Sequence, residues 1–273
     1  MFFSYYSNLE YHILIFLCIC WFFLIVQIIY NIYFFRKLIV FKEHKGSNKS
    51  GISVIICAKN EYDNLKKNLK TFLTQDFINY EVIVVNDQSN DNTKDLLNEY
   101  EKTFFRLKVV NIDENVNHVI GKKFALTLGI KSAKYENLLL TDADCYVESN
   151  KWISSMASNF NKYDVVLGYG AYQKEKGLLN KFIRFDTYII AMQYFSYALK
   201  SLTYMGVGRN LAYKKSIFFK NKGFANHLHV SSGDDDLFIR EVSKKYKVGI
   251  ELSEKSHTIS IPKSSWKDWY AQK

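Results

Sequence analysis

The strongest constraint on the fold is an alternation of strand-like and helix-like segments between residues 51 and 142. Short runs rich in Val, Ile and Leu predict strands by their length and composition. The four predicted strands are residues 51–60, 81–87, 106–112 and 137–142. Apolar residues at helical spacing predict the segments between them, which are residues 61–75, about 91–102 and 121–133. Such βαβ units are right-handed and place strands parallel, so the sequence predicts an α/β fold with a mostly parallel sheet.

Polar side chains follow three of these strands. Ligands of such sheets bind beyond the carboxyl ends of the strands, so we expect these side chains to gather at one edge. Any single one of them has an alternative role as a helix cap or turn residue. They are Lys59, Asn60 and Glu61 after the first strand, Asp87 at the end of the second, and Asp142 and Asp144 at the end of the fourth.

A stretch without Asp, Glu, Lys or Arg runs from Tyr11 to Phe35. As a helix it would be roughly 37 Å long, more than the ~30 Å hydrocarbon core of a bilayer. It is too long for a signal peptide and lacks a small-residue cleavage site. A buried helix of a soluble protein is the alternative. We therefore predict a transmembrane helix over residues 11–35, preceded by a short N-terminal segment, residues 1–10.

A basic linker, residues 36–50, follows the predicted span. Its lysines and arginine are opposed only by Glu43, so the positive-inside tendency predicts that residues 51–273, the predicted catalytic domain, are cytoplasmic. The linker also accounts for part of the net charge of +10, which weakens a nucleic-acid interpretation. The basic residues are Arg36, Lys37, Lys42, Lys45 and Lys49.

The second half of the chain continues the alternation with a helix at 150–160, a strand at 164–170 and a helix at about 178–201. The last of these is rich in apolar and aromatic residues. We favour packing in the core or in an acceptor groove, with the membrane interface as the alternative. In residues 206–213, glycines permit a close backbone approach to a ligand, or simply a turn.

Three consecutive acids, residues 234–236, open a predicted amphipathic helix near the end of the chain. A helix dipole favours acids at this end, so capping is the simplest interpretation. One cap, however, needs one acid. Three adjacent carboxylates repel each other, which suggests a further role.

Five motifs in order make residues 51–270 resemble the family-2 glycosyltransferases, which have the GT-A fold. Two positions depart from the family pattern. Asn86 stands where Asp is common, and we expect an altered nucleoside contact. Gln88 stands where Gly is common, and we expect a slightly different turn. The motifs are ISVIICAKNEYDNL, VVNDQSNDNT, GKKFAL, TDADC and GDDDL.

The resemblance implies a membrane-anchored, inverting transferase that uses a nucleotide-sugar donor, most commonly with uracil, and Mg²⁺ or Mn²⁺. It places Asp144 on the metal and Asp142 on the metal or the nucleotide ribose. In this scheme Asp87 and Glu61 hold the nucleoside, and Lys122 screens phosphate or pairs with Asp87. Two further residues belong to the same nucleotide loop, Lys59 and Asn60.

For catalysis the resemblance implies a base that takes the proton of the acceptor hydroxyl. Asp234 is the first choice and Asp235 the alternative. Arg209 and Asn210 are expected near the junction of donor and acceptor, and the acceptor is expected to be lipid-linked or a growing polysaccharide.

Two other functions of residues 51–273 remain open. A nucleotidyltransferase would have a similar sheet and similar metal acids, but the expected GxGxR loop after the first strand is missing. A non-catalytic membrane scaffold is opposed by the intact acids. Processive family members carry a Q-x-x-R-W motif followed by more membrane helices. Gln272 would begin that motif, so we expect a truncated chain, with a native end as the alternative.

Overall fold

The computed structural model describes residues 2–43, 46, 48–112, 121–227, 230, 233 and 235–273, with the backbone alone for residues 2–10. Two predicted residues, Lys45 of the linker and Asp234, lie outside the described residues. The chain divides into two compact units, Met1–Phe41 and Lys42–Lys273. The first unit contains helix α1, Phe2–Ile39, whose segment Tyr11–Ile39 is long and apolar enough to cross a membrane.

The second unit is built on a seven-stranded sheet with the order β3-β2-β1-β4-β8-β6-β9. Its first four strands run parallel, whereas β8 runs antiparallel to both of its neighbours. This arrangement confirms the predicted α/β fold with a mostly parallel sheet. The strands are β1 Ile52–Ala58, β2 Tyr80–Asp87, β3 Leu107–Ile112, β4 Asn137–Asp142, β6 Val165–Leu167, β8 Leu211–Lys214 and β9 Val248–Ile250.

A second sheet has three strands in the order β5-β10-β7. Two of its strands directly follow strands of the large sheet along the chain, since β5 follows β4 and β7 follows β6. Its strands are β5 Cys145–Tyr146, β7 Gly170–Tyr172 and β10 Thr258–Ser260. Since β5 begins three residues after β4 ends, the acids Asp142 and Asp144 occupy the link between the two sheets.

Helices cover the sheet, and the strands between them are almost fully buried, as expected for parallel strands. One large core joins β1, β2 and β4 to the apolar faces of the flanking helices, with Leu69, Phe72 and Trp152 among its members. The helices are α2 Tyr62–Leu73, α3 Thr93–Thr103, α4 Lys122–Ser132, α5 Trp152–Ser158, α6 Leu178–Ala198, α7 Lys215–Lys220, α8 Asp236–Val242 and α9 Trp266–Gln272.

The segment predicted as one strand at 164–170 is split between the two sheets. β6 ends at Leu167, and β7 begins at Gly170 in the other sheet. Gly168 lies at the break, where a Cβ atom would be 2.5 Å from the side chain of Asn210. The close approach of Asn210 therefore requires a glycine, and the chain changes sheet at this point.

Residues 206–213, predicted to form a turn or a close approach to a ligand, form both a turn and a strand. A 3₁₀ turn at Gly208–Asn210 leads directly into β8. Because β8 runs antiparallel to β4, with Leu211 opposite Leu140, the turn lies at the carboxyl end of β4. This places Arg209 at the edge of the sheet where the acids of β4 lie.

Candidate active site

The carboxyl ends of β1, β2 and β4 form one wall of a cavity, as the sequence predicted. In the register of the sheet, Ala58 lies opposite Asn86 and Cys57 lies opposite Asp142. The loops that follow these strands therefore meet. Six of the predicted site residues line the cavity: Lys59, Glu61, Asp87, Lys122, Asp142 and Asp144.

Hydrogen bonds hold the first two loops together at this edge. The backbone N–H of Asn60 donates to Ser89 Oγ at 2.9 Å, and the backbone N–H of Asn90 donates to Asn60 Oδ1 at 2.8 Å. The backbone N–H of Glu61 donates to Thr93 Oγ1 at 3.1 Å. Asn60 thus uses one side-chain oxygen to join the loops, a structural role that the sequence did not predict.

The two departures from the family pattern, Gln88 and Asn86, have defined conformations in this loop. Gln88 has φ of 54°, in the left-handed region that favours glycine. Asn86 is buried; its Nδ2 donates to Asn111 Oδ1 at 2.9 Å and its Oδ1 accepts from the backbone N–H of Ser89 at 3.3 Å. Asn86 therefore stabilises the loop and the neighbouring strand β3.

The cavity carries an excess of negative charge. Burial raises the pKa of Asp144, and the nearby charge of Asp142 raises it further, against the opposing charge of Arg209. Burial likewise raises the pKa of Glu61, with added repulsion from Asp144 and Asp142. The sequence did not predict the ion pair of Asp142 with Lys122, which has an Oδ1–Nζ distance of 2.9 Å. The arrangement favours a cationic ligand beside Asp142 and Asp144.

The donor groups fit a divalent cation that binds together with a phosphate. In the described part of the chain, no three His, Cys, Asp or Glu side chains are placed to hold a metal by themselves. Mg²⁺ and Mn²⁺ accept carboxylate oxygens, and Mg²⁺ commonly uses one or two carboxylates plus substrate phosphates. The neighbouring Cys145 is unsuited as a ligand, because burial raises its pKa to about 12 and keeps it a thiol. Asp142 and Asp144 are the residues that would hold the cation.

Arg209 is held at the edge of this cavity by contacts that the sequence did not predict. Its guanidinium lies 4.4 Å from the ring centroid of Tyr172, and its Nη1 donates to Ser260 Oγ at 3.3 Å. Both partners belong to strands of three residues, which are too short to give a periodic signal in the sequence. Arg209 therefore presents its charge toward Asp144 from a fixed position.

Asn210, expected near the junction of donor and acceptor, has a fully buried side chain whose polar atoms are bonded within the protein. Asn210 Oδ1 accepts from Trp152 Nε1 at 3.1 Å. Its Nδ2 donates to the carbonyl oxygens of Tyr169 at 2.9 Å and Ser256 at 2.6 Å. Asn210 fixes the turn that carries Arg209.

Asp235 caps the N-terminus of helix α8 and also holds the turn Gly208–Asn210. Its Oδ1 accepts from the backbone N–H of Asp236 at 2.8 Å, and its Oδ2 accepts from the backbone N–H of Gly208 at 2.7 Å. Both carboxylate oxygens of the alternative base thus have backbone partners. The first choice, Asp234, lies outside the described residues, so its position relative to the cavity stays a prediction.

Similarity to known proteins identifies the family of the chain. The family model for glycosyl transferase family 2 matches residues 53–221. The chain belongs to glycosyl transferase family 2. The match runs from the second residue of β1 to just beyond α7 and includes every described residue that lines the cavity.

Curated relatives within the family are longer than this chain. The poly-β-1,6-N-acetyl-D-glucosamine synthase of Staphylococcus epidermidis is 34% identical over 143 residues, which are 50% of this chain and 32% of the relative. The 4,4'-diaponeurosporenoate glycosyltransferase of Staphylococcus haemolyticus is 34% identical over 152 residues, 55% of this chain and 37% of that protein. The chain thus spans about a third of the length of these relatives.

Solved structures share the fold. The mannosyltransferase PcManGT of Pyrobaculum calidifontis, in complex with GDP-Man and Mn²⁺, superposes with a TM-score of 0.67 at 18% identity, over 86% of this chain and 64% of that chain. TarS 1–349 of S. aureus, in complex with UDP, superposes with a TM-score of 0.58 at 20% identity, over 81% and 62%. These similarities confirm the predicted GT-A fold.

Proposed function

We propose that the chain is an inverting glycosyltransferase that transfers a sugar from a nucleoside-diphosphate sugar, a UDP-sugar, to a lipid-linked or polysaccharide acceptor. The observation that carries the proposal is the gathering of Glu61, Asp87, Lys122, Asp142 and Asp144 in one cavity of a family-2 chain. The names of the relatives support a sugar donor, and one structural neighbour is a complex with UDP-GlcNAc.

The chemistry of the cavity suits a leaving group with two phosphates. A divalent cation at Asp142 and Asp144 would neutralise the charge that develops on the departing diphosphate. Lys122 adds a positive charge on the same side, at the first turn of α4. Asp87 and Glu61, at the ends of β2 and β1, are left to hold the nucleoside. PcManGT is recorded with GDP-Man and Mn²⁺, which supports a nucleotide-sugar site of this kind.

The acceptor side requires a base. We assign this role to Asp234, since both oxygens of Asp235 accept backbone hydrogen bonds. The base takes the proton of the acceptor hydroxyl while the oxygen attacks the anomeric carbon. Attack from the face opposite the diphosphate breaks the bond to the leaving phosphate oxygen and inverts the anomeric centre.

The test is release of nucleoside diphosphate from a panel of nucleotide sugars, with Mn²⁺ or Mg²⁺ and an acceptor. Asp144→Asn should lower turnover by about 10²–10³-fold, since a metal at the leaving group contributes several kcal/mol. Asp95→Asn, the same change at an exposed position of α3, is the matched control and should leave turnover unchanged.

Two outcomes would replace the proposal. Release of pyrophosphate instead of nucleoside diphosphate would identify a nucleotidyltransferase. Binding of nucleotide sugar without turnover, with any acceptor, would identify a non-catalytic scaffold. Full activity in Asp144→Asn would overturn the assignment of the metal residues.

The proposed location is the cytoplasmic face of the plasma membrane. The support is a helix that is long and apolar enough to span the bilayer and the basic residues that follow it. In this arrangement the catalytic unit has direct access to cytoplasmic nucleotide sugars.

A further inference from the structure

Helices α6 and α9 share an exposed aromatic surface. Four of its side chains follow one another at helical spacing along α6, and two belong to α9. The ring of Phe182 contacts Trp266 at 5.5 Å and Trp269 at 5.2 Å between centroids, so the two helices form one surface. The members, each between 42% and 80% exposed, are Leu178, Phe182, Phe185, Tyr188, Trp266 and Tyr270.

The fold of the catalytic unit does not account for this surface. The opposite side of α6 is buried through Ile183, Ala191, Tyr194 and Phe195. α9 has no buried residue at all among its seven. Contiguous exposed apolar patches of this kind mark interaction sites in soluble domains. The outer side of α6 and α9 is therefore a candidate interaction surface.

The charge around the aromatic surface indicates an anionic partner. Residues 172–188 and 261–273 contain seven Lys or Arg residues and three Asp or Glu residues. Tryptophan and tyrosine prefer the boundary between hydrocarbon and headgroups, where lysine side chains reach toward lipid phosphates. Aromatic side chains with surrounding lysines match the headgroup region of an anionic bilayer better than they match a neutral protein groove.

We propose that the aromatic surface binds the headgroup region of an anionic lipid bilayer. The inference rests on the membrane anchoring in the proposed function. The same chain carries the candidate span Tyr11–Ile39, and only residues 40–51 separate α1 from β1. Twelve residues reach at most about 40 Å, so an anchored catalytic unit always has a bilayer within reach. Tethering of this kind makes even a weak surface interaction effective.

Binding through this surface has a consequence for the acceptor. A cavity lined by Tyr172, Ile183, Arg209 and Trp269 lies between α6, α9 and the turn that carries Arg209. It borders the two helices that form the aromatic surface. Docking would bring this cavity to the level of the headgroups, where a membrane-borne acceptor can present its hydroxyl to the catalytic centre.

The test uses the full chain in lipid nanodiscs that contain phosphatidylglycerol and a labelled lipid. p-Benzoylphenylalanine, a photo-crosslinking analogue of phenylalanine, replaces Phe185 in one variant and Phe105 in the other. Phe105 is the matched control, because it is 91% exposed but lies between α3 and β3. β3 is at one edge of the seven-stranded sheet, and α6 packs against β9 at the other edge. We expect a several-fold excess of lipid adduct at position 185, which falls when the anionic lipid is omitted.

Equal lipid adducts at positions 185 and 105, or an adduct at 185 with a second copy of the chain in place of lipid, would overturn the inference. The same analogue at Phe22, an exposed position of α1, tests the anchor separately. A lipid adduct at 22 and normal nucleotide release, with none at 185, would reject the aromatic surface alone. No adduct at 22 would reject the anchor, and no nucleotide release would reject the proposed enzyme.

Discussion

The position of Asp144 suits the binding of a cation but lowers the stability of the fold, because its charge is buried next to a second carboxylate, Asp142. The pKa of Asp144 is raised above its unfolded value, so ionisation of Asp144 destabilises the fold. The fold has its full stability below the unfolded pKa and loses part of it as the pH rises through the folded pKa. Asp144→Asn removes the charge and keeps an oxygen that accepts from Cys145 Sγ. Without divalent cations, the variant should melt at a higher temperature than the wild type at pH 7.

The advantage of Asp144→Asn should shrink as the pH falls toward 3.8, the ordinary pKa of an aspartate side chain. Thermal melts in one detergent across this pH range measure it. Asp91→Asn is the control of opposite sign: burial raises the Asp91 pKa, but hydrogen bonds from Thr93 and Tyr62 outweigh it and lower the pKa overall. That variant should lose stability at pH 7. A lower melting temperature for Asp144→Asn at pH 7 would contradict the electrostatic account.

Gln88 retains a backbone conformation that suits glycine, and this gives a second prediction. A left-handed conformation costs a residue with a Cβ about 1–2 kcal/mol. Glycine adds about 0.4–1 kcal/mol of entropy to the unfolded chain, so Gln88→Gly should stabilise the fold by roughly 0.5–1 kcal/mol. Urea unfolding of the two forms measures this. Gln88→Val, with a branched side chain at the same φ of 54°, should destabilise instead.

The positions of polar residues after predicted strands indicated which side chains line the cavity, but not which of these side chains pair with each other. Asp87, Asp142 and Asp144 follow buried strands, and a parallel sheet brings strand ends together whatever the details of the loops. The ion pair of Lys122 with Asp142 and the hydrogen bond from Asn90 to Asn60 depend on distances between loops. Those distances follow from the packing of α2, α3 and α4, which the sequence pattern does not specify.

Asn210 ties the turn Gly208–Asn210 to α5, to the link between β6 and β7, and to the segment that precedes β10. Asn210→Ala would leave the buried N–H of Trp152 and the carbonyl oxygens of Tyr169 and Ser256 without this partner. Each such buried group costs about 1–3 kcal/mol, so the free energy of unfolding should fall by at least that amount. Denaturant titration measures the loss.

Nucleotide affinity separates this structural role from direct binding. In folded Asn210→Ala at low temperature, the Kd for the nucleotide should match that of the wild type. Unchanged stability with a weakened Kd would instead indicate that Asn210 contacts the nucleotide directly. Asn210→Asp is a useful second variant, since its carboxylate keeps an acceptor for Trp152 but faces the oxygens of Tyr169 and Ser256.

Asp235 ties helix α8 to the turn Gly208–Asn210. This structural role allows mutants to distinguish Asp235 from Asp234, the other candidate base. Asp235→Ala removes the acceptor for the N–H groups of Gly208 and Asp236, and a lost N-terminal cap costs about 0.5–2 kcal/mol. Asp235→Asn keeps one acceptor oxygen and should recover part of the stability. We expect both variants to retain the acidic limb of the pH–rate profile.

Asp234→Asn should lose that limb together with about 10²–10⁴-fold in turnover, the usual contribution of a general base. Nucleotide release from the best donor between acidic and neutral pH measures the profile. Loss of the acidic limb in Asp235→Asn, with the limb intact in Asp234→Asn, would reverse the two assignments.

Short elements explain most of the differences between prediction and structure. The long, regular segments α2, α4 and β4 were predicted within a few residues. β7 and β10 have three residues each, and β5 has two, so none of them shows a period. The break at Gly168 depends on the position of Asn210, which comes 42 residues later in the chain. Only the tertiary structure brings these parts together.

The two units of the molecule differ in where their apolar side chains lie. The catalytic unit has a buried sheet and a charged cavity, whereas the apolar side chains of α1 are exposed along Tyr11–Ile39. Isolated in water, such a helix would expose far more apolar surface than a soluble protein tolerates. The fold of the second unit was predictable from β1 to β4 because its core is local in sequence. The chemistry of its aromatic surface was not, because the sequence does not show which face of α6 is buried.

The orientation of the span gives the last prediction. No Lys or Arg precedes Tyr11, whereas Arg36, Lys37, Lys42 and Lys49 follow the apolar stretch. Basic residues are retained on the cytoplasmic side, so a tag after Lys273 should resist protease in intact spheroplasts and be digested after permeabilisation. Replacing Arg36, Lys37 and Lys42 with Gln should expose a fraction of the tag from outside. Digestion of the wild-type tag in intact spheroplasts would place the cavity outside the cell, away from its proposed nucleotide-sugar supply.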